Sequence, residues 1–161
     1  MDAIKSIRLN SLEDTELFAE VLAGVLRSGG LQIGFLGTLG AGKTTLIKYI
    51  VSKLGSNDSV GSPTFVLEHL YEAPSLSISH WDLYRLTHSP EELLSPVESN
   101  ALRLIEWIDK APELSGNSDL LINIDAIPDH TNSSYAYRDV KLSGELATVI
   151  VEKWLRLKSV I

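Results

Sequence analysis

The chain has 161 residues, no cysteine and a formal net charge of −7 from 21 acidic and 14 basic residues. This length and the even spread of apolar residues predict a single domain over residues 1–161. The acidic balance excludes a large unassisted nucleic-acid surface, and the lack of cysteine excludes disulfides and thiolate metal sites. No segment has the apolar length of a signal peptide or membrane span, so we expect a cytoplasmic protein without membrane contact.

The first half of the chain alternates strand and helix patterns around a glycine-rich loop. Ser11 stands where it would cap the first helix, and the buried strand before the loop leads directly into it. Gly55 is placed to end the second helix. The predicted elements are a strand at Ile7 and Leu9, a helix from Ser11 to Leu26, a strand from Leu31 to Leu36, and a helix from Lys43 to Leu54.

The second half of the chain supplies further strands. Thr64 to Tyr71 and Leu76 to Asp82 are joined by a turn around Pro74, which is too short for a parallel crossover and predicts an antiparallel pair. Ser89, as a cap, and the acids after it predict a helix that Pro96 cuts short. Later strands are predicted at 102–107, 120–127 and 137–142, and a closing helix at 144–157. The expected fold is α/β, a P-loop NTPase with a mixed, mainly parallel central sheet flanked by helices.

The run GTLGAGKTT, from Gly37 to Thr45, satisfies the pattern GxxxxGK[ST]. Its glycines allow bare backbone N–H groups and the positive end of the next helix to surround a β-phosphate. Lys43 would bridge β- and γ-phosphate oxygens, and the Thr44 hydroxyl would bind Mg²⁺. A plain glycine turn is the alternative, but the flanking strand and helix are the context that a P-loop needs. The predicted ATP-binding residues here are Gly37, Leu39, Gly40, Ala41, Gly42, Lys43, Thr44 and Thr45.

A P-loop site also needs a carboxylate near Mg²⁺, and two acids compete for this role. Asp82 and Glu106 each end a predicted strand, where open α/β sheets place ligands. Each could instead be an exposed acid or pair with Arg85 or Lys110, so the residues alone leave the choice open. Thr64 follows a polar loop and could sense a γ-phosphate, with a simple turn before a strand as the competing interpretation.

The histidines and tryptophans give weaker indications. His69, His80 and His88 do not have the spacing of helical metal ligands, so no zinc site is predicted. Tryptophans are more often core or interface anchors than base-stacking platforms on an acidic protein. Trp107 is of interest because it adjoins Glu106.

Taken together, these motifs resemble one family, the TsaE (YjeE) ATPases that support bacterial tRNA threonylcarbamoyladenosine synthesis. The resemblance covers nearly the whole chain. HWDLYRL at 80–86 and LIEW at 104–107, in this order after a P-loop, are specific to the family. The other matching segments are Ser11, Glu13 and Thr15, LGAGKTT at 39–45, SPTF at 62–65 and PEEL at 90–93.

The resemblance implies roles for several residues. Thr44 and Glu106 would ligate Mg²⁺, Asp82 would be the Walker-B-like acid, and Thr64 would lie near the γ-phosphate. The family's N-terminal segment lies near the nucleotide, so Leu12 becomes a candidate adenine contact. The resemblance also implies a TsaB–TsaD partner complex that ATP hydrolysis resets between rounds of threonylcarbamoyl transfer. Those partners would hold the tRNA, which agrees with the acidic charge of this chain.

The sequence departs from the family pattern in three places. Thr38 replaces the usual aspartate after the first P-loop glycine. Because the cradle is mainly backbone, we expect this replacement to adjust the properties of the site more than it changes nucleotide binding itself. The link SPVESNALR replaces a longer glycine-leucine segment and changes the local partner-facing surface. Ile108 and Asp109 stand where proline and glutamate are common.

Other classes of function remain as alternatives. A small-molecule kinase could use the same cradle, but such kinases bring an arginine-rich lid, whereas Arg85, Arg103 and Arg138 are scattered. A non-enzymatic binding module would bind ATP without turnover. A GTPase is disfavoured because no NKxD-like sequence occurs.

Overall fold

The computed structural model describes residues 3–58, 67–131 and 135–161. The strands are β1 (Lys5–Leu9), β2 (Leu31–Leu36), β3 (Glu68–Ala73), β4 (Leu76–Asp82), β5 (Ala101–Glu106), β6 (Leu120–Pro128) and β7 (Tyr135–Ser143). The helices are α1 (Leu12–Leu26), α2 (Lys43–Lys53), α3 (Pro112–Gly116) and α4 (Ala147–Lys158), with 3₁₀ turns at Glu91–Leu94 and Ile108–Lys110. Among these described helices, none combines the length and apolarity needed to cross a membrane.

The strands form one mixed sheet in the order β1-β7-β6-β2-β5-β4-β3. The four central strands, β6, β2, β5 and β4, are parallel, while β3 pairs antiparallel with β4, and β7 with both β6 and β1. This confirms the predicted α/β fold with a mixed sheet and a parallel centre. The burial of all four inner residues of β2, including Gln32, is explained by its central place, where both faces are covered.

The core lies on both faces of the sheet. On one face, α1 packs through Phe18, Leu22 and Leu26, which are fully buried, and each such side chain contributes about 1.5–3 kcal/mol. Phe18 meets Trp154 of α4 edge to face at 5.7 Å between ring centroids. A smaller cluster covers the other face and consists of Trp81, Leu83, Leu93, Ile105, Ile108, Ala111 and Leu114. Both layers hold the carboxyl ends of the central strands in fixed positions.

The predicted cap of α1 is confirmed. The Ser11 Oγ accepts a hydrogen bond from the Asp14 N–H at 3.1 Å, and the Asp14 carboxylate accepts one from the Asn10 N–H at 2.9 Å. Lys158 of α4 donates to the same carboxylate at 2.7 Å. The start of α1 is therefore attached both to the preceding loop and to the last helix.

The predicted helix after Ser89 is wrong in type and in its cap. The chain forms only a 3₁₀ turn at Glu91–Leu94, and Pro90 occupies its N-cap position without a side-chain hydrogen bond. Ser89 instead donates to the Glu113 carboxylate. A full helix does not form because the backbone is already extended at Ser95 on its way to β5.

The boundaries of other predicted elements also shift. The strand expected from residue 64 is described only from Glu68, and residues 64–66 lie outside the described ranges. Trp107 is outside β5 because its left-handed backbone, with φ 59°, ends the strand. The closing helix begins at Ala147, after Gly144 at φ 107°. The five-residue α3 is too short for its apolar period to be recognised in the sequence.

Replacing Gly37 with alanine should destabilise the fold at the loop. Gly37 has φ 136°, and a Cβ there would lie 2.4 Å from the Ile124 carbonyl oxygen. Positive-φ strain plus this backbone clash should lower the free energy of unfolding by about 2 kcal/mol or more. Chemical denaturation measures this free energy of unfolding. Gly116→Ala is the matched control, because a Cβ there meets nothing within 4 Å. Equal stability of the two variants would contradict the expected strain.

Candidate phosphate-binding site

The loop between β2 and α2 has the backbone that its glycines predict. Gly37, Gly40 and Gly42 have φ values of 136°, 77° and 113°, a region that side chains with a Cβ rarely adopt. Gly42 is the left-handed N-cap of α2 and makes no side-chain cap hydrogen bond. The first N–H groups of the 11-residue helix therefore point towards the loop, where an anion binds favourably.

A cavity of about 200 Å³ lies against this loop. It brings together most of the predicted site residues. Two predicted residues do not line it: Gly37, and Leu12, the 55 % exposed first residue of α1. Thr64 lies outside the described residues. The lining residues are Leu39, Gly40, Ala41, Gly42, Lys43, Thr44, Thr45, Asp82, Glu106, Trp107 and Arg138.

Lys43 is held inside the loop and is only 5 % exposed. Its Nζ donates to the carbonyl oxygens of Gly37 at 2.6 Å and Thr38 at 2.9 Å, and it lies 4.0 Å from the centroid of the Trp107 ring. Burial lowers the pKa of Lys43, although the charges of Glu106 and Asp82 oppose the shift. The ammonium is thus positioned in the cradle by weak neutral acceptors that phosphate oxygens can replace.

Glu106, at the end of β5, is a buried carboxylate at 2 % exposure. Its Oε1 accepts hydrogen bonds from the Thr44 hydroxyl at 2.7 Å and from the His80 Nε2 at 3.1 Å. A buried carboxylate needs such donors to offset its desolvation. Because the Thr44 hydroxyl donates its proton to Glu106, its lone pairs remain available for a cation.

Asp82 lies beside Glu106, since the two residues are paired in register on β4 and β5. Its Oδ1 accepts a hydrogen bond from the Tyr84 N–H at 2.9 Å. Burial raises the pKa of Asp82, and the charge of Glu106 raises it further, whereas the Tyr84 N–H and Lys43 oppose the shift. The two acids that competed in the sequence therefore lie at one site.

The donor chemistry of this site fits Mg²⁺ carried by a nucleotide. Within residues 3–58, 67–131 and 135–161, no group of three or more His, Cys, Asp or Glu residues could hold a metal ion. The cradle instead offers the Thr44 hydroxyl and the carboxylates of Glu106 and Asp82. Mg²⁺ commonly uses one or two carboxylates and completes its shell with phosphate oxygens and waters. These residues therefore suit an ion that arrives with phosphate.

Two residues of the site were missed by the sequence analysis. Arg138 of β7 donates from Nε to the Ala41 carbonyl oxygen at 2.9 Å and lies over Gly42. No sequence pattern places it there, because its position depends on the pairing of β7 with β6. His80 could have been found, because its position two residues before Asp82 puts both side chains on the same face of β4.

Asp82→Asn should stabilise the protein at neutral pH. Because the folded-state pKa of Asp82 is raised, its stability contribution is present below its unfolded-state pKa and is lost as pH rises through the folded value. At pH 7 the ionised Asp82 therefore lowers the stability of the fold, and asparagine removes this charge. The melting temperature at pH 7 should rise by roughly 1–3 °C, allowing for solvent screening. The gain should shrink towards pH 4 in thermal unfolding scans. A gain independent of pH would rule out this cause.

The fold and the loop define this chain as a P-loop protein of the α/β class. The sequence model of the threonylcarbamoyl adenosine biosynthesis protein TsaE matches residues 9–134. The chain belongs to the TsaE family.

Curated relatives agree with this assignment. The chain is 36 % identical over 120 residues to the tRNA threonylcarbamoyladenosine biosynthesis protein TsaE of Haemophilus influenzae, covering 71 % of this chain and 75 % of that relative. It is 33 % identical over 140 residues to the protein of the same name from Aquifex aeolicus, covering 86 % and 99 %. The crystal structure of Bacillus subtilis YdiB has the same fold, with a TM-score of 0.71 at 24 % identity over 98 % of both chains.

Proposed function

We propose that this protein is a Mg²⁺-dependent ATPase that serves as an accessory factor in tRNA threonylcarbamoyladenosine modification. It would work in the cytoplasm through a TsaB–TsaD-like complex and meet tRNA only indirectly. The observation that carries the proposal is the hydrogen bond from Thr44 to Glu106 beside Lys43. It joins a hydroxyl and a carboxylate, the usual Mg²⁺ donors of a P-loop site, at the start of α2.

The positions of these groups support the proposed roles. The backbone of residues 39–45 holds the phosphates, and the Lys43 ammonium exchanges two carbonyl oxygens for β- and γ-phosphate oxygens. Thr44 and Glu106 would hold Mg²⁺, which supplies charge neutralisation when bound. Asp82 would position the ion or its water. Leu12 as an adenine contact and Thr64 as a γ-phosphate sensor remain predictions.

The arginines of the described residues do not favour the kinase alternative. Arg103 donates to the Gln32 side chain at 3.0 Å and to the Ser95 carbonyl oxygen at 3.0 Å, so it serves the opposite end of the sheet. Arg138 lies at the phosphate loop, where its Nε donates to the Ala41 carbonyl oxygen, so it is not near Arg103. Under the proposed function, the affinity of the chain for its protein partner would differ between the ATP and ADP states.

The test is ATP hydrolysis by the purified protein, alone and with TsaB and TsaD. We expect slow turnover alone and partner-stimulated turnover that both Lys43→Ala and Glu106→Ala remove. Undetectable ATP binding would refute the proposal. Tight ATP binding without turnover, even with partners, would indicate a non-hydrolysing module, and a phosphorylated metabolite in a screen would indicate a kinase.

A further inference from the structure

His80 lies fully buried next to the candidate Mg²⁺ ligands. Its Nε2 is 3.1 Å from the Glu106 Oε1, and its ring packs near that of Tyr71, 6.2 Å between centroids. Its other ring nitrogen, Nδ1, has no hydrogen-bond partner in the part of the chain that the structure describes. An apolar side chain would fill this position without leaving a buried polar atom unpaired. The histidine is therefore explained by what its Nε2 does.

The contact defines which nitrogen carries the proton. An ionised carboxylate only accepts hydrogen bonds, so a lone pair on Nε2 would face a lone pair on Glu106 Oε1. The Nε2 of His80 must therefore carry a proton and donate it to Glu106.

The two hydrogen bonds to Glu106 end on the same oxygen. Thr44 and His80 both donate to Oε1, and within the described ranges the Oε2 of Glu106 accepts no hydrogen bond. Two donors from α2 and β4 fix the carboxylate plane, which a single bond from Thr44 would leave free to rotate. The arrangement leaves Oε2 and the lone pairs of Thr44 available to a cation.

We propose that His80 is a positioning residue for the Mg²⁺ site, holding Glu106 so that the oxygens of Glu106 and Thr44 converge on the ion. His80 itself touches neither the ion nor the nucleotide. The inference rests on the proposed function, since it requires a nucleotide-borne Mg²⁺. Groups that orient metal ligands typically change metal affinity or activity by about 10–100-fold when they are removed.

The test compares ADP binding by calorimetry with Mg²⁺ and with EDTA, so its readout does not depend on hydrolysis. Mg²⁺ should strengthen ADP binding by the wild-type protein, and in His80→Leu this strengthening should be about 10–100-fold smaller. The affinity of His80→Leu for ADP in EDTA should be unchanged. His80→Gln, whose amide nitrogen can replace Nε2 as a donor, should restore most of it. His69→Leu is the matched control, because His69 is paired with His80 on β3 but does not contact Glu106.

The outcomes separate this inference from the proposed function. Wild-type protein that binds no Mg²⁺–ADP refutes the proposed function. Two results would refute the role of His80 while leaving the proposed function intact, provided that the wild-type protein binds Mg²⁺–ADP. In the first, Mg²⁺ strengthens ADP binding in His80→Leu as much as in the wild-type protein. In the second, His80→Leu loses as much ADP affinity in EDTA as it does with Mg²⁺. If His80→Leu does not fold, His80→Asn replaces it, because its shorter amide cannot reach Glu106. Equal Mg²⁺ gains in the Asn and Gln variants would then overturn the proposal.

Discussion

Lys43→Ala should lower ATP affinity by at least about 100-fold and abolish measurable turnover, because each charge-assisted hydrogen bond to phosphate contributes about 1.5–3 kcal/mol and Lys43 would make two. The protein should still fold. Burial lowers the pKa of Lys43, so the charged form costs stability at neutral pH and its removal offsets the lost carbonyl contacts. The large loss of function should therefore come without a large loss of stability.

Nucleotide titration and thermal unfolding together test this expectation. Lys48→Ala is the matched control, because Lys48 lies on the same helix but is exposed and does not line the cavity. It should bind ATP like the wild-type protein. Full ATPase activity in a folded Lys43→Ala variant would refute the role of this lysine.

Glu106→Gln should reduce Mg²⁺-dependent turnover by about 100-fold, the upper range for changes at oxygens that hold or orient a metal ion. Glutamine keeps the volume of the side chain and an oxygen that can accept the Thr44 hydrogen bond, but it removes the charge. Nucleotide binding in EDTA should persist or strengthen, since a negative charge near the phosphates is gone. The melting temperature should not fall, because a buried charge is replaced by a neutral group.

The measurement is turnover against Mg²⁺ concentration, with ATP binding in EDTA measured separately. Asp109→Asn is the control, because Asp109 is an exposed acid whose charge reaches Lys43 but which does not line the cavity. It should leave the Mg²⁺ dependence unchanged. Wild-type Mg²⁺ dependence in Glu106→Gln would transfer the ion-binding role to Asp82.

Much of the fold and of the phosphate loop could be predicted because both depend on local patterns. The mostly apolar segment from Leu31 to Leu36 indicates a buried strand, and Gly37, Gly40 and Gly42 occupy positive-φ positions of the loop. The cap at Ser11 is likewise a short-range signal and is confirmed. By contrast, the pattern after Ser89 predicted an α-helix, but the path of the chain towards β5 allows only a 3₁₀ turn.

The sequence by itself determined the phosphate cradle, since a strand, a glycine loop and a helix that follow one another in the chain need no distant contact to be recognised. Only the tertiary structure decided which side chains meet the cradle. Thr44 and Glu106 are 62 residues apart and meet through the parallel pairing of β2, β5 and β4, which also brings Asp82 and His80 to the same edge. Arg138 arrives through the antiparallel pairing of β7. Strand pairing depends on packing between segments that are far apart in the sequence, so the pattern of apolar residues within one segment does not encode it.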